Sequence, residues 1–201
     1  MVISRKMQFS TFEPSLFTFE PAATTASYNV EVQIRYAIEA DIANVAAVLT
    51  EASEWLCERG MPMWKGDELL PERITNDVVC GLFAVAEVTG EIVGTMKFQL
   101  EDELFWPDLP RGEAAYIHRL AVKRAFAGGT ISYDLLAWAV NRARELGRHY
   151  LRLDTEASRP KLRAVYERFG FQHHSDRQVG SYFVARYQFD LNRPSPDTGP
   201  A

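Results

Sequence analysis

The segment from Tyr116 to Gly147 restricts the fold of this chain more than any other. Tyr116 to Val122 is a short apolar run with the alternation of a buried strand. Residues 125–132 follow as a turn of small residues that contains no acidic side chain. A helix is predicted next, because apolar residues recur at helical spacing at Ile131, Leu135, Ala139 and Ala143. A strand that enters a helix through a glycine-containing turn presents free backbone N–H groups to an anion, so this segment predicts a phosphate-binding cradle.

The rest of the chain predicts strands and helices in the order β-α-α-β-β-β-α-β-α-β-β. The other strands are expected at Val32 to Tyr36, Leu82 to Val88, Ile92 to Leu100, His149 to Asp154 and Gly180 to Leu191. The other helices are expected at Ile42 to Arg59, Pro71 to Val79 and Pro160 to Phe169. An antiparallel meander followed by a strand–helix–strand crossover predicts a mixed α/β (α+β) domain. Its sheet is mostly antiparallel, with helices on both faces.

Residues 30–191 are predicted to form this one domain. The preceding residues 1–29 show no strand or helix period, and we expect a flexible extension or an arm partly packed on the domain or on a partner subunit. The last residues, 192–201, contain three prolines and are expected to be disordered.

The bulk properties exclude several functional classes. A net charge of −5 provides no basic excess for binding nucleic acid or an anionic membrane. No apolar run approaches the roughly 18 residues of a transmembrane helix, and no secretory signal is found. Cys57 and Cys80 lack the spacing of a metal site, which favours reduced thiols. These features together predict a cytoplasmic protein that binds no metal.

Two segments resemble the GNAT (Gcn5-related N-acetyltransferase) superfamily. Leu120 to Ala143, which is LAV followed by the small-residue turn and helix, resembles the family's acyl-CoA-binding motif. Arg159 to Phe171, RPKLRAVYERFGF, resembles the family's Asn-x-x-Ala-x-x-x-Tyr-x-x-x-Gly-Phe segment. The similarity covers about Val32 to Leu191. It implies the splayed GNAT sheet of acyl-CoA N-acyltransferases, with acetyl-CoA or a related acyl-CoA as co-substrate.

The resemblance also implies roles for individual residues. Backbone groups of Leu120, Ala121 and Val122 would hold the thioester carbonyl and the pantetheine. The pyrophosphate would lie on Ala127, Gly128, Gly129, Thr130, Ile131 and Ser132. Arg159, at the position where the family often has Asn, would also bind the cofactor. Tyr166 would lie beside the sulfur and protonate the departing thiolate; its helical spacing with Leu162 and Phe169 also fits a core residue.

The cradle departs from the family's pattern of Gln/Arg-x-x-Gly-x-Gly/Ala. Ala127 takes the position of the family's leading Gln or Arg, Thr130 that of its first Gly, and Ser132 that of its final Gly or Ala. Gly128 and Gly129 supply the missing backbone freedom one residue early. Lys123 or Arg124 is the candidate replacement for the lost cation.

His118 is the candidate general base, since its strand face includes Leu120 and an imidazole pKa of about 6.5 suits amine deprotonation. Serotonin N-acetyltransferases resemble this stretch, with a histidine before the same Leu-Ala-Val. The alternative is that His118 is only packed on the strand. The base would then be an acidic residue that acts through a water molecule: Glu101, Asp102, Glu103 or Glu113. Trp64, in the loop between the first two helices, and Tyr116 are predicted to line the acceptor pocket; Trp64 alternatively only covers the domain.

We therefore predict an N-acetyltransferase that acts by direct transfer. Its acceptor would be the primary amine of a small molecule or of a peptide amino terminus. The alternative is a non-catalytic acyl-CoA-binding or regulatory domain, which the altered cradle favours. The resemblance also makes a homodimer possible.

Overall fold

The computed structural model describes residues 2–6, 29–64 and 66–192. Residues 7–28 of the predicted extension and residues 193–201 of the predicted tail lie outside the described residues. The described strands are β1 Val2–Lys6, β2 Asn29–Tyr36, β3 Phe83–Val88, β4 Glu91–Gln99, β5 Ala114–Val122, β6 Tyr150–Glu156, β7 Gln172–Val179 and β8 Tyr182–Asp190. The described helices are α1 Ile42–Cys57, α2 Pro71–Val79, α3 Ile131–Glu145 and α4 Pro160–Phe169. From β2 onward this order is the predicted one.

Strand β1 was not predicted, because its five residues carry no clear alternation. It pairs antiparallel with β2, with Val2 opposite Gln33 and Lys6 opposite Asn29. The strand therefore extends the sheet at its β2 edge.

The described strands form one sheet in the order β1-β2-β3-β4-β5-β6-β8-β7. Every neighbouring pair is antiparallel except β5 and β6, which are parallel. Helices α1 and α2 cover one face through a cluster that includes Val45, Leu49 and Val78. Helices α3 and α4 cover the other face. This architecture confirms the predicted mixed, mostly antiparallel sheet with helices on both faces.

The parallel pair separates halfway along its length. The strands pair only from Ala114 with Tyr150 to Ile117 with Leu153, although β5 continues to Val122 and β6 to Glu156. The next residue of each strand, His118 and Asp154, is the first without a partner across this pair. Backbone groups of β5 beyond this point are therefore not used by β6.

The other edge of β5 is irregular at the same height. Lys97 lies opposite His118, and Thr95 lies opposite Ala121. Two residues of β5, Arg119 and Leu120, therefore face one residue of β4, which is the count of a β-bulge. Arg119 has a φ of 52°, a left-handed conformation that side chains other than glycine rarely adopt.

No helix among the described residues is long and apolar enough to cross a membrane.

Candidate active site

His118 lies between two carboxylates where β5 and β6 separate. Its Nε2 is 3.0 Å from Asp102 Oδ2, and its Nδ1 is 3.5 Å from Asp154 Oδ1. Neither contact has the alignment of a hydrogen bond, and these carboxylate oxygens have no other hydrogen-bond partner among the described residues. The three groups therefore interact through charge inside a largely buried site.

Local structure positions both acids. Asp102 follows β4, and its Oδ1 accepts hydrogen bonds from the backbone N–H groups of Leu104 and Phe105 at 3.2 and 3.0 Å. The turn fixes this carboxylate, whose side chain is only 3% exposed. Asp154 is held by β6 itself, at the first position beyond the parallel pairing.

The surroundings shift all three pKa values. Burial opposes protonation of His118, but the contact with Asp102 and the charge of Asp154 outweigh it and raise the pKa of His118 above 6.5. Burial also acts on Asp102, yet His118 and the two backbone N–H groups hold its pKa below the usual range. Burial raises the pKa of Asp154 to about 6, partly opposed by His118. The cluster thus contains an ionised Asp102 and an imidazole made more basic by its neighbours.

The same three side chains bring metal-ligand atoms within 4.8 Å of one another. Each ring nitrogen of His118, however, faces a different carboxylate. A metal ion needs lone pairs that converge on one point, whereas this arrangement orients an imidazole from two edges. We therefore interpret the cluster as an imidazole held between two carboxylates.

Two clefts meet beside this cluster. The small cleft, with a volume of about 400 Å³, contains His118, Asp102 and Asp154 in its lining. The large cleft, of about 980 Å³, runs between the end of α1, the turn before α3, and α4. Both clefts share a junction formed by Pro62, Met63, Trp64, Leu120, Glu156, Leu162 and Tyr166. A ligand in one cleft can therefore reach a ligand in the other at this junction.

Tyr166 is buried at the junction, with 7% of its surface exposed. Burial and the charge of Asp154 raise its pKa above the usual 10. Its hydroxyl has no hydrogen-bond partner among the described residues and is a protonated donor available to a ligand. Trp64, which has a φ of 60°, lies at the same junction.

The predicted cofactor residues divide into two groups. Leu120, Ala121 and Val122 line the large cleft, as do Ala127, Gly128, Gly129, Ser132 and Arg159. Thr130 and Ile131 do not belong to its lining, and Ile131, the first residue of α3, is fully buried. The guanidinium of Arg159 donates hydrogen bonds within the protein, to Glu156 at 2.8 Å and to the carbonyl oxygens of Met61 and Pro62 at 2.9 Å. It therefore holds the loop after α1 in place.

The large cleft is cationic although the chain has a net charge of −5. Its lining contains Arg59, Arg124, Arg159 and Lys161 but a single carboxylate, Glu156. The guanidinium of Arg124 lies 3.8 Å from the ring centroid of Trp55, and that of Arg59 lies 4.1 Å from it. Lys123 is instead paired with Glu91 at 2.8 Å. Of the two candidates for the missing cradle cation, Arg124 is the one that faces the cleft.

The predicted substrate-binding residue Tyr116 lies elsewhere. Tyr116 lines neither cleft and is 3% exposed. Its ring packs against Trp106, and its hydroxyl accepts a hydrogen bond from Arg152 at 3.4 Å. The expectation that Tyr116 lines the acceptor pocket does not fit this position, because the loop carrying Trp106 covers it; we assign it to the core.

Of the four acids considered as a base, Asp102 alone reaches His118; Glu101 and Glu103 are exposed, and Glu113 is partly exposed at the far end of β5. Asp154 was missed. The sequence did contain a signal for Asp154, because it ends a strand predicted to run parallel to β5. The carboxyl ends of adjacent parallel strands lie at the same edge of a sheet, which would place Asp154 near His118.

This splayed sheet, bulged beside a small-residue turn and a buried tyrosine, defines an acetyltransferase fold. The sequence pattern of the acetyltransferase (GNAT) family matches residues 49–171. The chain belongs to this family.

Individual relatives agree with this assignment. The uncharacterized N-acetyltransferase YesJ of Bacillus subtilis (strain 168) is 30% identical over 149 residues, which cover 68% of this chain and 79% of the relative. A GNAT-family acetyltransferase from Listeria monocytogenes 4b F2365 superposes with a TM-score of 0.66 at 25% identity, over 81% of this chain and 97% of that one. The PaiA N-acetyltransferase from Thermoplasma acidophilum, solved in complex with coenzyme A, has the same fold. Its TM-score is 0.63 at 17% identity, and the match covers 79% of this chain and 99% of that one.

Proposed function

We propose that this protein transfers an acetyl group from acetyl-CoA directly to a primary amine of a small molecule or a peptide amino terminus. The observation that carries the proposal is the position of His118. It is held between Asp102 and Asp154, one residue before the bulge and beside the junction of the two clefts. The small cleft would take the amine, and the large cleft would take acetyl-CoA.

The large cleft fits the chemistry of acetyl-CoA. A ligand with several phosphates suits a cleft whose cations outnumber its carboxylates. Gly128, with a φ of 85°, allows the backbone to approach closely before the N-terminus of α3. The unpaired side of β5 from Leu120 to Val122 offers backbone groups to the pantetheine amides. The coenzyme A complex of PaiA supports this assignment through its shared fold.

When bound, acetyl-CoA would supply its acetyl group as a reactive thioester. Because Asp102 is ionised, it favours the His118 tautomer with a proton on Nε2, which leaves the lone pair on Nδ1. Nδ1 would then accept the proton of the incoming ammonium group, directly or through water beside Asp154. The neutral amine needed for attack is thereby formed.

Two further groups would act on the thioester. A backbone N–H freed by the bulge at Arg119 and Leu120 is a donor for the carbonyl oxygen. Tyr166 would donate a hydrogen bond to the departing sulfur. Its raised pKa keeps the hydroxyl protonated throughout the neutral range, so it acts as a donor at every working pH.

The test combines turnover with binding. The protein would be incubated with acetyl-CoA and a panel of primary amines while free thiol is followed, and coenzyme A binding would be measured by calorimetry. Thiol release that depends on both an amine and His118 supports the proposal. Tight coenzyme A binding without turnover across the panel would instead favour a non-catalytic acyl-CoA-binding domain, which the altered cradle residue Ala127 motivates. No binding at millimolar coenzyme A would contradict both.

A further inference from the structure

Arg119 occupies the small cleft in an unusual way. Consecutive residues of a regular strand point to opposite faces, so a residue next to His118 would normally point away from it. The bulge and the left-handed φ of 52° instead bring His118, Arg119 and Leu120 together in one lining. A non-glycine residue in this conformation costs free energy, and such residues cluster at functional sites.

The charge of Arg119 is only partly balanced. Its side chain is 12% exposed, and its one hydrogen bond to a described residue is a long one, 3.5 Å from Nη1 to Asp77 Oδ2. Lys97 occupies the same Oδ2 at 2.8 Å. Two cations on the cleft wall therefore share one carboxylate oxygen. A guanidinium has five N–H donors, so most donors of Arg119 stay available to a ligand in the cleft.

Three of the four acids in the small cleft face other partners. Asp102 and Asp154 face His118, and Glu156 accepts a hydrogen bond from Arg159 at 2.8 Å. The fourth, Glu68, accepts a hydrogen bond from Tyr182, and its charge also acts on Arg119. Arg119 and Lys97 still share a single carboxylate oxygen of Asp77, so the additional charged partner that suits this wall is an anion.

We propose that Arg119, with Lys97, binds the carboxylate of the acceptor and that the acceptor is an amino acid acetylated on its amine. This inference rests on the proposed acetyl transfer and specifies its substrate class. His118 and Arg119 are consecutive and line the same cleft, so the proton acceptor and the anion site are neighbours. An α-amino acid carries its amine and carboxylate on one carbon, which suits two neighbouring sites of this kind.

The remaining lining suggests the side chain of the amino acid. Apolar surface in the small cleft comes from Met63, Trp64, Leu104, Phe105, Leu162 and Val184. A side chain buried there gains from apolar contact. Apolar and aromatic amino acids are therefore the expected acceptors within the class.

The experiment compares matched acceptors. Each amino acid would be assayed beside its carboxamide and its decarboxylated amine, with acetyl-CoA fixed. We expect kcat/KM to be about 10- to 100-fold higher for the acid, as charge-assisted hydrogen bonds allow. Arg119→Asn, a residue that tolerates the left-handed backbone, should remove this preference through KM for the acid while KM for acetyl-CoA is unchanged. Arg119→Lys should retain part of it.

Arg111→Gln is the matched control, since it removes one positive charge at an exposed position outside both clefts. It should preserve the preference for acids. Carboxamides or decarboxylated amines that react as well as the acids would overturn the proposal, as would a preference that survives Arg119→Asn.

A binding measurement separates this inference from the proposed function. N-acetyl-amino acids and their amides would be titrated by calorimetry into the coenzyme A-saturated protein. Tighter binding of the acid that is lost in Arg119→Asn supports the anion site even if no amine is acetylated, a result in which only the transfer proposal fails. Equal binding of acid and amide contradicts the anion site whether or not turnover is observed.

Discussion

Gly94 connects the sheet to the helix that carries the cradle, and its replacement by alanine tests that packing directly. A Cβ built at Gly94 would lie 2.9 Å from Ile131 Cγ2, 3.2 Å from Leu135 Cδ1 and 3.4 Å from the carbonyl oxygen of Ala121. Ile131 and Leu135 are both fully buried on α3. The new methyl group therefore has no free volume to enter, and either α3 or the sheet must move.

The magnitude follows from this overlap. An extra methyl group forced into a close-packed core costs about 1–3 kcal/mol. In a domain of this size each kcal/mol lowers Tm by about 2–4 °C, so Gly94→Ala should lower Tm by about 2–12 °C. Because Ile131 belongs to the predicted cradle, movement of α3 should also weaken coenzyme A binding.

Urea and thermal unfolding of the wild type, the two single variants and the double variant would measure the effect. Ile131→Leu removes the Cγ2 methyl that causes the shortest contact while keeping the side-chain volume. If the clash is real, the double variant is less destabilised than the sum of the single variants. A Gly94→Ala protein within about 0.5 kcal/mol of wild type, or strictly additive variants, would show that α3 does not press on β4 as described.

Four functional predictions accompany this one. His118→Gln should lower kcat about 10²- to 10⁴-fold without changing KM for acetyl-CoA, since it removes the proton acceptor. The wild-type rate should rise with pH through a pKa above 6.5, because His118 must be neutral to accept a proton. Asp102→Asn removes the contact that raises the pKa of His118, so this rise should move to lower pH in the pH–rate profile; an unmoved profile would separate Asp102 from the titration. Tyr166→Phe should slow turnover and leave coenzyme A affinity intact in calorimetry, and unchanged turnover would remove Tyr166 from the mechanism. Arg124→Gln should weaken coenzyme A binding about tenfold or more, whereas Lys123→Gln, whose charge is already paired, should have little effect; equal losses would refute the role of Arg124.

Local patterns predicted most of the fold. Helical spacing from Ile131 to Ala143 identified α3, and the alternation around Tyr116 to Val122 identified β5. Strand β1 was not predicted because its antiparallel pairing with β2 leaves no period in residues 2–6. Sequence periodicity indicates which face of a segment is buried. It therefore does not identify a strand that is defined mainly by its pairing with a distant strand.

The site was less accessible from the sequence for the same reason. His118 was identified from its local motif, but its two acids lie 16 residues before it and 36 residues after it. Asp102 was one of four similar acids, and it is distinguished by the turn whose backbone N–H groups at Leu104 and Phe105 bind its carboxylate. Arg119 was not predicted as a site residue, because strand alternation predicts that it points away from His118. The bulge that reverses this orientation depends on the register between β4 and β5.

The two irregularities of β5 explain why the site forms at this point of the sheet. Loss of pairing with β6 after Ile117 opens a cleft and frees one edge of the strand. The bulge on the β4 side, two residues further on, turns Arg119 into the same space as His118. A regular ladder at either edge would use these backbone groups internally and would direct the base and the cation to opposite faces. Because both breaks fall within three residues, one short segment can present a proton acceptor, a backbone donor and an anion-binding group to the same junction. A variant that restored regular pairing by deleting Arg119 should therefore lose proton abstraction, carbonyl polarisation and acceptor binding together, whereas Arg119→Asn should lose acceptor binding alone.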